Sequence, residues 1–330
     1  MFCVVTGAAG FMGSHLVTAL LDKGHEVLGI DDLSGGFMEN VDRRSRFIAR
    51  DLSEGPIRLN IFKPDILFHL AADAAEGLSQ FTPISSTRNN TLAYINTLTS
   101  CIKAGVKRIV LTSSMVRYGE GIPPFSEKSP ANPVSIYGIN KVSMENMTQT
   151  MAKAYGFDYT IIVPHNVFGI QQNLSDPYRN IVGIFMNRIM KNLPPIIYGD
   201  GKQTRAFTYI DDFTPYIVDA GFRDNCINET INIGTAKAVS INHVARVVLK
   251  AMDSKLKPIY LPDRPSEVKH AFCTAFKAKQ LLDYKTTTSF EEGVQKMAGW
   301  AKTRGPQEFK YVDLELETPQ TPKTWSNREM

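Results

Sequence analysis

Cysteine is scarce in this sequence, tryptophan scarcer, and charge is nowhere concentrated. The 330 residues hold only four cysteines, Cys3, Cys101, Cys226 and Cys273. They lie far apart, with neither the pairing of a disulfide framework nor metal-ligand spacing, so they read as buried free thiols in a reducing compartment. Basic side chains number 37 against 33 acidic ones, net +4, spread without blocks of like charge. That distribution excludes the electrostatic footprint of a nucleic-acid or membrane-surface binder. No apolar stretch approaches the ~20 residues of a membrane span. The first residues already read as a core strand, which leaves no room for a signal peptide, and a cytoplasmic protein is expected. None of the six histidines has a zinc-like pairing, so no metal is expected, and His69 and His165 read as packed or lining residues.

What is present is a substantial core: 43% of the residues are hydrophobic, enough to fill one catalytic unit divided between two lobes. Short β-rich runs alternate with helical ones: FCVVTG, a helix over about Gly13 to Lys23, EVLGID, then DILFHLAA, RIVLTSS and YTIIVPHNVFG. Strands separated by helix-length segments predict an α/β fold, a doubly wound parallel Rossmann-type sheet. The runs are apolar without strict alternation, as required when helices cover both faces. Past Phe168 the texture turns polar and rich in Pro and Gly. The expected organisation is a dinucleotide-binding domain over 1–168, with 206–235 returning to it, a smaller α+β substrate lobe mainly over 169–318, and a mobile tail over 319–330.

Strand FCVVTG runs into GAAGFMG, where Gly7, Gly10 and Gly13 open the next helix. Each glycine has a use there: a tight turn, close approach of backbone to a pyrophosphate, and close packing of helix on strand. Asp31 ends the second strand 18 residues after Gly13, where a carboxylate accepts hydrogen bonds from adenosine ribose hydroxyls and repels a 2′-phosphate. NAD is thus favoured over NADP, with Asp32 the neighbouring candidate for the same role.

The segment SIYGINK sets Tyr137 and Lys141 four apart at the start of a helix, on one face. An ammonium ~4 Å away at an effective dielectric of ~20 is worth roughly 4 kcal/mol, enough to bring a phenol toward neutrality as a general base. Upstream, Ser113 or Ser114 at the carboxyl end of RIVLTSS is placed to hydrogen-bond a substrate hydroxyl. Serine, tyrosine and lysine beside a nicotinamide make a hydride-transfer arrangement.

With these motifs together, the sequence resembles the extended short-chain dehydrogenase/reductase family, which includes UDP-galactose 4-epimerase and the nucleotide-sugar 4,6-dehydratases. The resemblance runs from TGAAGFMGSHL to about Tyr284, through SSMVRYG, YGINK, PHNVFG and YGDGKQTRAFTYIDD. It implies that Ser114, four residues before Tyr118, is the catalytic serine. It also implies a cofactor set of Phe11, Met12, Asp51, Leu52, Leu70, Ala71, Ala72, Asn90 and Pro164 beside the glycines, Asp31, Tyr137 and Lys141. Asn166, Arg205, Arg264 and Glu267 would contact a nucleotide diphosphate and its ribose, a guanidinium fork being suited to phosphate. In the family the two residues after the serine decide the reaction: the dehydratases carry Asp–Glu and the decarboxylases keep a Glu, whereas Met115 and Val116 stand here. A 4-epimerase needs neither acid nor base there, so the resemblance implies epimerisation of a nucleotide-diphosphate sugar through a 4-keto intermediate. The alternatives are a nucleotide-sugar 4-dehydrogenase, a dehydratase, or a non-catalytic NAD- or RNA-binding relative. Arg117 departs from the pattern, which has a small apolar residue before Tyr118. A homodimer is expected through a four-helix bundle of the helix around Asn90–Lys103 and the helix beginning at Tyr137, with Met144, Met147 and Met151 as its apolar stripe.

Overall fold

Strand β1 (Phe2–Thr6) lies at the heart of a seven-stranded parallel sheet. Beside it stand β2 (Glu26–Asp31) and β3 (Arg46–Ala49) on one side. On the other stand β4 (Ile66–His69), β5 (Arg108–Thr112), β6 (Asp158–Pro164) and, last, strand Glu229–Ile233. This computed structural model describes residues 1–264 and 268–330. Among the described residues no helix is long and apolar enough to cross a membrane.

The absence of alternation in the strands has a direct structural cause. Cys3, Val5, Ile66, Phe68, Val110 and Ile162 point into one core, and Val4, Leu67, Ile109, Leu111, Ile161 and Val163 into another on the opposite face. With both faces covered, successive side chains must all be apolar. Helix α1 (Phe11–Asp22) buries Leu16, Val17 and Leu20 on the first face, where it meets a later helix, Thr214–Phe222. On the second face lie a short helix α2 (Pro83–Thr87), α3 (Ala93–Ala104) and α4 (Ile136–Tyr155). All four cysteines are buried and unpaired, as their spacing suggests. At Gly13 an added Cβ would lie 1.9 Å from the Gly7 carbonyl oxygen, so only glycine lets α1 seat against the turn.

Residues 319–330, expected as a mobile tail, form the end of a strap over 306–330 that packs against the rest of the chain. Glu315 and Leu316 donate their main-chain N–H groups to the Phe81 carbonyl (2.9 and 3.1 Å), and a short helical turn, Lys323–Ser326, ends the strap. Trp325 is 3% exposed and packs edge-on against Phe81 and Tyr178. The polar composition of 319–330 conceals a few residues that each find a partner: Thr324 meets the Tyr198 hydroxyl at 2.5 Å, and the Met330 N–H donates to the Tyr311 hydroxyl at 2.6 Å.

Candidate active site

The glycine turn faces the carboxyl ends of β1 and β4. Gly7 takes φ +71°, and a Cβ there would lie 2.8 Å from the Ala71 N, so the two backbones are in contact. The Ala71 N–H donates to Thr6 Oγ1 (3.3 Å), and Leu70 is tied to the Thr6 carbonyl. Gly10 caps α1 without a side chain, leaving the first-turn amides at Phe11 and Met12 at the positive end of the helix. Asp31 is 7% exposed, and its carboxylate accepts from the Ala9 N–H at 3.0 Å and the Leu33 N–H at 2.8 Å. Burial pushes its pKa up, against those two backbone hydrogen bonds. Asp32 is exposed and accepts instead from Ser34, N–H and hydroxyl. Of the two acids, therefore, Asp31 is the one held at the glycine turn. Asp51 caps a short turn through Ser53 and pairs with Arg88, with Leu52 buried beside it. Asn90 donates to the Asp73 and Ser86 carbonyls while its buried Oδ1 has no partner among the described residues. Pro164 ends β6, the strand beside β5. A glycine-lined turn that no Cβ could enter, an uncapped helix start and an unpartnered amide oxygen together fit a dinucleotide.

The catalytic candidates meet at the end of β5. Ser113 and Ser114 diverge there: the Ser113 hydroxyl bonds the Glu145 carboxylate, whereas Ser114 caps the turn Met115–Tyr118, accepting from the Val116 N–H at 3.4 Å, and its hydroxyl lowers the pKa of the Tyr137 phenol. The Lys141 amine donates to the Thr112 carbonyl at 2.9 Å and lies 5.6 Å from the Tyr137 ring centroid. Both side chains are buried. Burial pushes the Tyr137 phenol up to about 12, opposed by the charge of Arg179 and by the Ser114 hydrogen bond. Burial also lowers Lys141 to about 7, with Glu145 raising it and Arg179 lowering it further. Burial is the largest influence on both groups, and the charge of Arg179 lowers both.

Sequence reasoning missed Arg179 and Glu145. Glu145 was findable, being one turn beyond Lys141 on the face of α4 that carries Tyr137. Arg179 lies in the polar segment after Phe168 and carries no local signal. Arg117, out of pattern in the sequence, forms a buried ion pair with Glu145. His69 and His165 are fully buried and held near 3 and 4 by burial, as packed residues are.

The expected diphosphate contacts come from the residues just after β6 and from segments further along the chain. Asn166 takes φ +30° and donates to the Ala206 carbonyl at 3.0 Å, with the Met115 sulfur 3.4 Å away. Arg205, in strand Thr204–Ala206, donates to the Thr204 and Lys269 carbonyls. Arg264 stacks over Tyr198, 4.9 Å from the ring centroid, and both arginines line one cleft with Glu76, Gly77 and Ser135. Glu267 lies outside the described residues.

Residues 3–234, more than two thirds of the chain, match the model of the NAD dependent epimerase/dehydratase family. A putative UDP-glucose 4-epimerase from Methanocaldococcus jannaschii is 31% identical, over 91% of this chain and 98% of that protein. UDP-glucuronic acid decarboxylase 1 of Arabidopsis thaliana is 28% identical, over 91% of this chain and 70% of that protein. UDP-glucuronic acid 4-epimerase from Bacillus cereus, solved with UDP-glucuronic acid and NAD, superposes with a TM-score of 0.86 at 29% identity, covering 92% of this chain and all of that one. The activities these relatives are named for differ. The chain belongs to the NAD dependent epimerase/dehydratase family, and NAD is its cofactor.

Proposed function

We propose that the protein is a 4-epimerase of a nucleotide-diphosphate sugar. The observation that carries this reading is the pair of side chains after Ser114. Met115 is 6% exposed with its sulfur against the Asn166 amide, and Val116 follows it, so no carboxyl group stands there to drive elimination or decarboxylation. Bound NAD supplies the acceptor and donor of a hydride. The glycine turn, Asp31 and the groups around Asn90 hold it. Ser114 and Tyr137 hold the sugar C4 hydroxyl, and Tyr137 takes and returns its proton. Lys141, titrating near neutrality on the same face of α4, sets the charge around that phenol. Arg205 and Arg264 bind the diphosphate.

A homodimer through the outer face of α4 is part of this reading. Pro133, Ile139, Val142, Met147 and Met151 line an apolar surface groove there. Met144, expected in the same stripe, is fully buried in the chain's own core, which narrows the stripe to Met147 and Met151. The four buried free thiols support a cytoplasmic location.

The test is incubation of the purified protein with UDP-, dTDP-, GDP- and CDP-hexoses without added cofactor. The reading predicts a C4 epimer from one of them with no growth of NADH absorbance. A stable 4-keto product with stoichiometric NADH would make the enzyme a dehydrogenase instead, and release of CO2 or water would make it a decarboxylase or dehydratase.

A further inference from the structure

The strap over 306–330 reaches the cleft assigned above to the nucleotide diphosphate. Its Pro322 and Trp325 line that cleft opposite Glu76, Gly77 and Ser135. Trp325 is fixed from three sides: Phe81 and Tyr178 meet its ring edge-on, and the Arg264 guanidinium lies 5.9 Å from its centroid. The strap that brings it there is anchored at both ends of its path. The Glu315 carboxylate accepts from the first amides of α2, Ile84 N–H at 2.7 Å and Ser85 N–H at 2.8 Å, and Thr324 meets the Tyr198 hydroxyl. Gly77 makes room for the ring, since a Cβ there would lie 3.2 Å from the Trp325 side chain and 3.8 Å from Arg264.

One atom in this arrangement is left over. The indole Nε1–H of Trp325 is buried and has no hydrogen-bond partner among the described residues. An indole N–H only donates, and so does a guanidinium. The cleft gathers Arg205, Arg264 and Trp325 beside the Glu76 carboxylate, and of these donors the indole N–H is the one whose need for an acceptor oxygen a bound molecule would meet. A buried donor left without an acceptor is destabilising, and a bound ligand removes that cost.

We propose that the strap completes the substrate site and that the Trp325 indole N–H donates to an oxygen of the bound diphosphate-sugar. The proposal rests on the nucleotide-sugar reading above and adds to it a residue from the far end of the chain. Binding a substrate oxygen in this way makes Trp325 a determinant of affinity, with the chemistry left to Ser114, Tyr137 and Lys141.

The test uses the full chain with NAD bound. Trp325→Phe keeps a ring against Phe81 and Arg264 while removing the donor together with one ring of the indole. It should weaken UDP and UDP-glucose binding about ten-fold in calorimetry and raise KM in proportion, with kcat held within about two-fold. Trp300→Phe leaves Trp325 as the single tryptophan of the chain; in this protein, whose strap is native, UDP should change the emission. dTDP, GDP and CDP are titrated alongside. Unchanged binding by Trp325→Phe, with emission in Trp300→Phe insensitive to a nucleotide that binds, would overturn the role of Trp325 and leave the nucleotide-sugar reading standing. If the unaltered chain binds none of the four diphosphates, that reading falls and the proposal with it.

Discussion

Arg117 and Glu145 form a buried ion pair, Nη2 and Oε2 2.9 Å apart, with side chains 12% and 4% exposed. The pair joins the turn after Ser114 to the helix that carries Tyr137 and Lys141. The Ser113 hydroxyl shares the same carboxylate, so the end of β5 and the face of α4 are fixed to each other through Glu145. A small apolar residue at 117 would leave that carboxylate buried without its cation.

Removing both partners should therefore cost less than the two single losses added together. Arg117→Met is expected to destabilise the fold by about 3–5 kcal/mol, because a buried charge is left uncompensated. The double variant Arg117→Met/Glu145→Met should cost less than the sum of the singles, the signature of a coupled pair. Urea unfolding of the four proteins measures this. Additive losses would show that the pair is not coupled.

The acid limb of activity follows from the Tyr137–Lys141 pair. With Lys141 near 7 and Tyr137 near 12, the proton lost close to neutrality is the lysine's, and the pair can then accept a hydroxyl proton, the phenol taking it as its own proton passes to the neutral Lys141 amine. Turnover is then low below pH 7 and rises as pH passes through about 7. Arg179 lowers both groups, so Arg179→Ala should move the rise to higher pH. A kcat profile from pH 5 to 9 for both proteins checks the sign, and a shift toward acid would contradict it.

Asp31 binds backbone as well as facing the cofactor turn. NAD should bind far more tightly than NADP, and Asp31→Ala should narrow that gap. Because the Ala9 and Leu33 amides lose their acceptor in the same variant, NAD affinity should also fall. Calorimetry on cofactor-stripped protein reads both numbers. Equal NAD and NADP affinities in the unaltered protein would remove the ribose role.

Much of this was legible in the sequence because it is local. The glycine spacing, the acid ending β2 and the Tyr137–Lys141 interval are properties of a strand, a turn and a helix, and each survives folding unchanged. Arg117 and Glu145, 28 residues apart, become partners only when α4 packs against the end of β5, and no periodicity records that meeting. The strap was misread for a related reason. Its residues are polar and sparse in apolar side chains, and its burial depends on Phe81, Tyr178 and Tyr198, three partners from distant segments. A long-range contact made by one tryptophan leaves no pattern in the composition around it.

The seat of α1 on the glycine turn allows no substitution. Gly13→Ala would place a methyl group 1.9 Å from the Gly7 carbonyl oxygen, between two backbones that cannot yield separately. The loss should be about 3 kcal/mol or more, with NAD lost as well. Thermal melts with and without added NAD measure it. A variant as stable as the original and still holding NAD would show that the turn has room the geometry denies.

In the proposed 4-epimerase reaction, one enzyme molecule removes a hydride from C4 and returns it to the same carbon, with Tyr137 carrying the proton. Its most direct measurement uses the nucleotide sugar found to react, deuterated at C4, incubated with purified protein and followed by NMR. The account predicts that the epimer keeps its deuterium at C4 without accumulation of NADH, and that Tyr137→Phe retains NAD but forms no epimer. Deuterium washed out to solvent, or carried away in a reduced cofactor beside a stable ketone, would contradict it.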